Sequence, residues 1–372
     1  MKRIAVASHV TLIKGEEYDG IGNVVIETLS SVTDDFVFVR HSMDGLLSSE
    51  VRSYRKGIIR QSVNLNVIKS PAPLRYITEA LKTIYYFTYK DEVDLYVGVD
   101  PLNAFAGIIL KKLRKVEKVV FYTADYSTSR FKSGLMNKIY HWIDKYCVKN
   151  ADEVWSVSSK IVDIRKSMGL SDEKNIFLPN VPPKDYDKYQ QNNHSIHTLI
   201  TSGIIDKQLD FDGIFNAISI LKIKYPDIRL EIAGNGPEEK ALKMLAKHLN
   251  IEKEIVFLGK IPLGDLMERV SRAGVGLALY TGIWGFNTYG DSTKCREYFN
   301  FGLPVLSTDT HSTVEDIKSY NAGIVVNLSS KEYIDALEEI FSHYSIYANA
   351  SHILGEKYSG AHLRHFKRIL DA

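Results

Sequence analysis

The sequence predicts an α/β protein made of two doubly wound parallel-sheet domains. Apolar runs of strand length alternate with amphipathic helical patterns, which is typical of a parallel sheet covered by helices on both faces. The alternation is interrupted at residues 184–197, a polar and turn-prone stretch that we interpret as a linker, and then begins again. At 372 residues the chain is also long for one hydrophobic core, so two domains are expected.

The first half of the chain begins with a strand at residues 3–7, a polar loop at residues 15–19 and a helix that opens at Gly20. Further strands are predicted at residues 36–39, 63–68, 95–99, 119–123 and 154–158, with helices at 74–86, 104–113 and 134–148. The strand, glycine loop and helix form the first unit of a doubly wound sheet. In this loop Gly22 would let a phosphate or a sugar approach the backbone; alternatively, the glycines serve only the turn.

The second half repeats the same alternation. Strands are predicted at residues 198–202, 230–233, 274–279, 303–306 and 322–326, and helices at 211–221, 237–249, 314–319, 330–344 and 361–370. In an open parallel sheet ligands bind beyond the carboxyl ends of the strands, so candidate site residues are sought there.

The segment 289–308 reads as a loop, a helix, a tight turn and a buried strand. Asp291, Ser292 or Thr293 can cap this helix, and Gly302 ends it. The first turn nevertheless contains Lys294 and Arg296, although the helix dipole disfavours cations there. Basic side chains and unpaired backbone N–H groups at a helix start together predict that a phosphate group binds there.

Lys294 and Glu297 are three residues apart, so they share one face of the helix. A lysine directed at phosphate, beside a carboxylate that accepts both hydroxyls of a ribose, would hold a nucleoside diphosphate from two sides. The alternative is an ordinary amphipathic helix with basic residues on its surface.

The composition is that of a soluble globular protein, with 45% hydrophobic and 25% charged residues. Cys147 and Cys295 are far apart and have no metal-ligand spacing, so neither a disulfide framework nor a zinc site is expected, and a reducing cytoplasm suits them. No apolar run approaches the ~20 residues of a membrane span. The first residues lead directly into a strand rather than a signal peptide.

Charge is unevenly distributed along the chain although the net charge is only +2. Residues 51–150 contain 18 Lys and Arg against 8 Asp and Glu, with clusters at 52–56 and 111–115. These clusters are either solvated helix faces or a surface for an anionic partner, such as a phospholipid-linked acceptor at a membrane. Nucleic acid is not expected, because no nucleic-acid-binding module accompanies the charge.

The pattern S-x-K-x-x-E-Y-x-x-x-G-x-P-V at residues 292–305 resembles the donor-binding motif of GT-B glycosyltransferases, most closely the large retaining family 4, glycosyl transferases group 1. Further segments that resemble this family lie at residues 151–158, 176–181, 234–237 and 255–262. The resemblance implies GT-B architecture, with two Rossmann-like domains that face a cleft. It assigns residues 1–187 to acceptor binding, 188–345 to the nucleotide-sugar donor, and 346–372 to a helical segment that crosses back to the first domain.

The resemblance also implies the site residues. It places the following residues at the donor: Gly203, Lys207, Gly234, Gly236, Lys260, Ile261, Ser292, Thr293, Lys294 and Glu297. The glycine loop that contains Gly20, Gly22 and Asn23 would face the acceptor or a phosphate. Trp284 and its glycine and asparagine neighbours would lie beside the donor sugar.

The chain departs from the family pattern at three positions. The usual arginine after Gly203 is missing, so Lys207 is either its offset substitute or a plain surface lysine. A histidine common near residue 125 is absent, and Asp125 would orient the acceptor hydroxyl or act as base, unless it only caps a helix. The missing histidine leaves the stereochemical outcome open. The first of two glutamates is replaced by Tyr289, so only Glu297 of that pair remains.

We therefore expect a glycosyltransferase, of hexosyl and retaining type, that uses a UDP- or GDP-sugar in cell-surface polysaccharide or glycoconjugate synthesis. Lys294 and Glu297 are its central residues, and no cofactor or metal is expected because basic groups neutralise the diphosphate. The enzyme is expected in the cytoplasm, peripheral to the inner face of the membrane. The alternatives are a nucleotide-sugar epimerase on the same fold and a non-catalytic nucleotide-sugar-binding partner.

Overall fold

The computed structural model describes residues 2–13, 16–18, 20–67, 70–90, 92–181, 194–283 and 288–371. The chain divides into two compact units. The first unit comprises Met1–Pro179 and Gly360–Ala372, and the second unit comprises Asn180–Ser359. The predicted boundary at 187/188 and most of the predicted linker lie outside the described residues.

The strands and helices follow one another along the chain in regular alternation. The strands are β1 Ile4–Ile13, β2 Glu16–Tyr18, β3 Asp35–Ser42, β4 Glu50–Arg55, β5 Ile58–Asn64, β6 Val93–Val99, β7 Val116–Thr123, β8 Glu153–Ser156, β9 Asn175–Phe177, β10 Ser195–Ser202, β11 Arg229–Ala233, β12 Ile255–Gly259, β13 Ala273–Ala278, β14 Val305–Thr308 and β15 Gly323–Val326. The helices are α1 Gly20–Val32, α2 Ala72–Thr88, α3 Pro101–Lys112, α4 Gly134–Asn150, α5 Ser159–Ser167, α6 Phe211–Leu221, α7 Glu239–His248, α8 Leu263–Arg272, α9 Thr293–Asn300, α10 Val314–Tyr320, α11 Ser330–Ser342, α12 Tyr344–Tyr358 and α13 Ala361–Asp371.

The sheet of the first unit has the order β5-β4-β3-β1-β6-β7-β8-β9, and β2 pairs with β1 outside this path. Six neighbouring strands of this sheet are parallel, as predicted: β3, β1, β6, β7, β8 and β9. The order of these strands reverses between β1 and β6, which makes that position the switch point of the sheet.

An antiparallel hairpin of β4 and β5 at the edge of this sheet was not predicted. The basic run 52–56, for which a solvated helix face was one of the two interpretations, lies on β4 and the turn after it. The strand predicted at 63–68 lies earlier in the chain, at Ile58–Asn64. The period-two pattern is hard to see because only Val51 and Tyr54 of β4 are buried and β5 is almost wholly exposed. The predicted polar loop at 15–19 is also wrong, because β2 lies within it.

The sheet of the second unit is parallel throughout, with the order β12-β11-β10-β13-β14-β15. This is the order of a doubly wound nucleotide-binding fold, and its switch point lies between β10 and β13. Large buried side chains such as Phe215, Tyr298 and Tyr333 fill the core on the two faces of the sheet.

The C-terminal segment belongs partly to each unit. The predicted helix at 330–344 is α11, which ends at Ser342, and the next helix, α12, packs against α9 in the second unit. A Cβ on Gly355 would lie 2.3 Å from the carbonyl oxygen of Phe299, so only glycine allows this close packing. Residues 346–358 therefore do not cross back to the first unit, whereas α13 packs there, with its Phe366 ring 5.0 Å from that of Trp155.

Within the described part of the chain, no helix combines the length and the apolar character needed to cross a bilayer.

Candidate functional site

The carboxyl edge of the second unit is free of side chains where β10 and β11 end. Gly203 and Gly234 follow these strands with φ values of +123° and +135°, which favour glycine. A Cβ on Gly234 would lie 1.8 Å from the Gly203 carbonyl oxygen, and one on Gly236 would lie 1.9 Å from that of Ile205. Close approach of the backbones therefore requires glycine at two of the predicted donor positions, Gly234 and Gly236, and the positive φ favours glycine at the third, Gly203.

Helix α9 begins beside this edge, and Ser292 is its cap. The Ser292 hydroxyl accepts a hydrogen bond from the Cys295 N–H at 3.4 Å, and the Ser292 N–H donates to Thr313 Oγ1 at 2.8 Å. Of the three capping residues that the sequence allowed, the structure selects Ser292, and Thr293 is the exposed first residue of the helix. Gly302 ends the helix with a φ of +68°, as predicted.

Arg296 is paired with carboxylates of the protein itself. The prediction that this residue helps to bind a phosphate at the helix start is therefore wrong. Its guanidinium binds Asp291 through Nε and Nη2 at 2.8–3.1 Å and Asp316 through Nη2 at 2.7 Å. Burial opposes the charge, but the two carboxylates outweigh it and raise the pKa of Arg296 above its ordinary value. Asp291 also accepts hydrogen bonds from the Asn180 N–H and the Thr313 hydroxyl, both at 2.8 Å. Arg296 is therefore a structural residue.

Lys294 lies at the switch point of the second sheet. Its Nζ donates to the Tyr280 hydroxyl at 3.2 Å and lies 5.0 Å from the centre of that ring. The same Nζ is 3.3 Å from the position that a Cβ on Gly203 would occupy. Burial lowers the pKa of Lys294, but Tyr280 and Glu297 raise it above its ordinary value. Lys294 is thus a charged ammonium beside the glycine edge.

Glu297 lies one turn after Lys294 on the same helix, as predicted. Burial raises the pKa of its carboxyl to about 7, and Lys294 only partly offsets this effect. The carboxyl therefore changes its charge near neutral pH, so a ligand that requires the ionised form will bind with a pH dependence.

The remaining predicted donor residues lie at the same edge of the sheet. Lys207 is exposed after β10, where its carbonyl oxygen accepts from the Thr281 hydroxyl at 2.8 Å. Lys260 is exposed and Ile261 is half-buried immediately after β12. The predicted sugar-binding loop at 284–287 lies outside the described residues.

Three residues that support Lys294 were missed by sequence reasoning. Tyr280 follows β13, and its carbonyl oxygen accepts from the Thr308 hydroxyl at 2.7 Å. The ring of His311 packs edge-on against that of Tyr280, at 5.3 Å between centres. Their positions just beyond the ends of β13 and β14 were the available signal, because polar residues there face the ligand edge.

In the first unit, Asp125 follows β7 and is about half exposed. Arg130 Nη1 donates to its carboxylate at 2.7 Å. Asp125 does not cap a helix, since α4 is capped by Ser133. Gly20, Gly22 and Asn23 lie in the first turn of α1, where Gly22 is buried.

A buried charge cluster at the switch point of the first sheet was not predicted. His9 Nδ1 is 2.6 Å from Asp100 Oδ2, and His9 Nε2 is 3.1 Å from Glu79 Oε2. Burial lowers the pKa of His9, but the two carboxylates raise it to about 10. Asp100 also caps α3 from a strained φ of +75°, and Asn103 Nδ2 donates to its carboxylate at 3.0 Å. A histidine just beyond the predicted strand 3–7 was the available signal.

No group of three or more His, Cys, Asp or Glu suited to a metal ion occurs among the described residues.

Comparison with known proteins extends this description. Residues 183–355 match the family described as Glycosyl transferases group 1. Protein CapJ of Staphylococcus aureus is 25% identical over 346 residues, covering 88% of this chain and 86% of that protein. An uncharacterized glycosyltransferase of Methanocaldococcus jannaschii is 24% identical and covers 78% of this chain and 76% of its own. Anabaena HepE in complex with UDP has a similar structure, with a TM-score of 0.71, 12% identity and full coverage of both chains. The resemblance to GT-B glycosyltransferases and the GT-B fold class are confirmed.

Replacing Arg296 tests its structural role. Arg296→Met leaves the buried carboxylate of Asp291 without its cation, so we expect a loss of about 3–5 kcal/mol in unfolding free energy. Chemical denaturation of the full chain, followed through the unfolding of its second unit, measures this loss in unfolding free energy. Arg272→Met, in the exposed pair with Glu268, is the control and should cost less than about 1 kcal/mol. Equal, small losses in both variants would contradict the assignment.

His9 should make stability depend on pH. Its folded pKa of about 10 lies above the ordinary value of 6.5, so its stabilisation is complete below about pH 6.5 and is lost as the pH rises towards 10. We expect the difference in melting temperature between the wild type and His9→Gln to be largest at the acidic end of this range and to shrink towards its alkaline end. Thermal unfolding of both proteins across this range measures it, and a difference independent of pH would refute the charged state.

Proposed function

We propose that this chain, a GT-B protein whose second half matches glycosyl transferases group 1, transfers a sugar from a nucleotide-diphosphate donor to an acceptor. The donor is a UDP- or GDP-sugar bound mainly by the second unit. The acceptor is a carbohydrate or a lipid-linked carbohydrate bound by the first unit, and the reaction serves cell-surface polysaccharide or glycoconjugate synthesis. The transferase is of hexosyl type and retains the anomeric configuration.

The observation that carries this proposal is the position of Lys294. Its ammonium lies at the switch point of a doubly wound sheet, beside a glycine edge and at the start of a capped helix. Unpaired N–H groups and the positive end of the helix dipole favour a phosphate at the same place. Anabaena HepE, which shares the fold, holds UDP, and this supports a nucleotide at the corresponding edge.

In the proposed reaction Lys294 stabilises the leaving group. Negative charge develops on the diphosphate as the bond to the sugar breaks, and a preorganised cation lowers the energy of that state more than that of the ground state. Gly203 has no Cβ, and the position that one would occupy lies 3.3 Å from Lys294 Nζ, so the diphosphate can approach the ammonium closely there. Ser292 and Thr293 contribute the start of the helix.

Glu297 binds the ribose in this arrangement, because its ionised carboxylate accepts both hydroxyls. The backbone after β12, at Lys260 and Ile261, reads the base. Readout by backbone groups requires no particular side chain, and for this reason uridine and guanosine donors are both included in the proposal.

Asp125 orients or deprotonates the acceptor hydroxyl. It is an accessible carboxylate at the carboxyl edge of the first sheet, and Arg130 holds it in place. The first turn of α1, with Gly20, Gly22 and Asn23, offers backbone N–H groups to the acceptor or to a phosphate on it.

We further propose that the reaction needs no cofactor and no metal ion, because basic side chains, Lys294 and Lys207 among them, act together with the helix dipole to neutralise the diphosphate. We place it in the cytoplasm at the inner face of the membrane. The buried, unpaired thiols of Cys147 and Cys295 suit a reducing compartment, and the basic region 51–150 suits an anionic surface.

Two measurements in sequence test the function. Thermal-shift titration with UDP and GDP reports nucleotide binding, and a screen of radiolabelled nucleotide sugars, with and without a chelator, then reports release of the sugar. Binding with donor turnover supports the proposal. Binding without turnover of any donor indicates a non-catalytic partner, and conversion of the sugar while it stays linked to the nucleotide indicates an epimerase.

Glu297 should control nucleotide affinity. Glu297→Ala removes hydrogen bonds to a charged group, worth about 1.5–3 kcal/mol each, and should weaken binding accordingly. Affinity of the wild type should rise as the pH increases through about 7, because the carboxylate form accepts both hydroxyls, and Glu297→Gln should lose this part of the pH dependence. Titration calorimetry with UDP and GDP measures both effects. Glu252→Ala, at an exposed position of the same unit, is the control, and an unchanged affinity in Glu297→Ala would exclude the ribose role.

Asp125 should affect transfer without affecting nucleotide binding. Asp125→Asn is expected to lower kcat by about 10²–10⁴-fold, as for loss of a general base, while the Kd for the nucleotide stays the same. Asp163→Asn, an exposed aspartate on α5, is the matched control. Wild-type kcat in Asp125→Asn would remove this residue from the mechanism.

A further inference from the structure

Helix α2 presents an apolar stripe to solvent. Leu74, Ile77, Leu81 and Tyr85 recur at spacings of three and four residues, and each side chain is more than half exposed. This stripe lies opposite the buried face of the helix, on which Phe87 lies. A surface helix normally carries polar residues at such positions, so the stripe indicates an interaction surface.

Helix α4 carries a second exposed stripe. Leu135, Ile139 and Trp142 have exposed fractions of 68%, 44% and 62% and again follow helical spacing. The Trp142 ring stacks on that of Tyr146, with 5.7 Å between centres. Two amphipathic helices of one unit thus have apolar residues on the side that faces solvent.

The two stripes belong to one layer of helices. Helix α3 packs between α2 and α4 and also contacts β6 and β7. Phe105 of α3 lies 5.6 Å from the Tyr146 ring, and Lys112 Nζ donates to the Tyr146 hydroxyl at 2.5 Å. The outward faces of α2 and α4 therefore point away from the sheet on the same side. We call the seven residues of the two stripes, Leu74 to Trp142, the α2–α4 surface.

The exposed charges carried by α2 and α4 have one sign. Lys138, Lys145 and Lys149 of α4 are exposed along the edge of its apolar stripe. The only acidic residues of the two helices, Glu79 and Asp144, are buried. This arrangement explains where part of the positive charge counted in residues 51–150 is displayed.

We propose that the α2–α4 surface docks on an anionic phospholipid bilayer. Its apolar side chains enter the boundary between headgroups and acyl chains, and its lysines contact lipid phosphates, as in helices that lie in the plane of an interface. Trp142 and Tyr85 suit that boundary because each ring has a polar and an apolar end. A second copy of the chain is disfavoured as the partner, since two such surfaces would bring lysines against lysines.

This inference deepens the proposed function, because docking brings the acceptor-binding unit to a lipid-linked acceptor. Its test requires no turnover. A chain that binds vesicles without processing any donor would retain the inference and lose the function, whereas a chain that turns over donors but does not bind vesicles would do the reverse.

The test is co-flotation of the purified full chain with phosphatidylcholine vesicles, with and without phosphatidylglycerol. We expect binding that requires phosphatidylglycerol and weakens with salt. The double variant Leu81→Glu/Trp142→Glu should lose at least about tenfold in partitioning, and the triple variant Lys138→Gln/Lys145→Gln/Lys149→Gln should lose at least as much. The matched control is Ile223→Glu/Ile346→Glu, at exposed apolar positions of the second unit, and it should bind like the wild type.

Nucleotide thermal shifts and circular dichroism establish that each variant is folded. The proposal is overturned if the wild type does not bind phosphatidylglycerol vesicles, or if Leu81→Glu/Trp142→Glu binds as well as the wild type. It is also overturned if light scattering shows a wild-type dimer that this double variant dissociates, because a second copy then covers the surface.

Tryptophan fluorescence gives an independent readout. Trp142 is exposed whereas Trp155 is fully buried, so vesicle binding should shift the Trp142 emission to shorter wavelength. Trp142→Phe should retain binding and lose most of the shift. A full shift in Trp142→Phe would show that another surface enters the membrane.

Discussion

The start of α9, at the carboxyl edge of the second sheet, depends on a buried ion cluster in which Arg296 binds Asp291 and Asp316. An unpaired charge in a protein interior costs several kcal/mol, so these three residues must meet when the chain folds. Asp291 in turn holds the N–H of Asn180 and the hydroxyl of Thr313. The cluster therefore ties the start of α9 to α10 and to the first segment of the unit. Because the helix start is fixed, its N–H groups are aligned before any ligand arrives, and this is the preorganisation that electrostatic catalysis requires.

Each of the two sheets holds a cation at its switch point. The two cations differ in how much of their positive charge the protein itself balances. The charge of His9 is balanced within the protein by Glu79 and Asp100. Lys294 has the Tyr280 hydroxyl as its hydrogen-bond partner, and Glu297, whose carboxyl has a pKa of about 7, balances its charge only in part. The second sheet thus suits an anion such as a diphosphate.

Structural features set by neighbouring residues could be predicted from the sequence, whereas features set by residues distant in the chain could not. The start and end of α9 were predictable because a serine cap and Gly302 act within one or two turns. The β4–β5 hairpin was not predictable, because almost no side chain of β5 is buried and the alternation disappears. The pairing of His9 with Asp100 joins residues far apart in the chain, and the second partner of Arg296 lies on another helix. Spacing along one helix could therefore identify both basic residues near the start of α9 but could not show that one of them is already neutralised.

Arg296 has a structural role, whereas Lys294 lies beside the glycine edge. This difference affects how the negative charge of the proposed donor diphosphate is compensated. At the position where the sequence resemblance implies an arginine that would reach a diphosphate, this chain has the exposed Ile204, and Arg296 is bound to its carboxylates. Of the basic residues expected near the diphosphate, Lys294 and Lys207 remain. A diphosphate carries negative charge on each phosphate, whereas a helix start contributes only about half an elementary charge. A single lysine and one helix start thus leave part of the charge uncompensated. In the proposed reaction the exposed Lys207, four residues beyond Gly203, would complete this compensation, and Lys294 would stabilise a larger share of the leaving-group charge than it would beside an arginine.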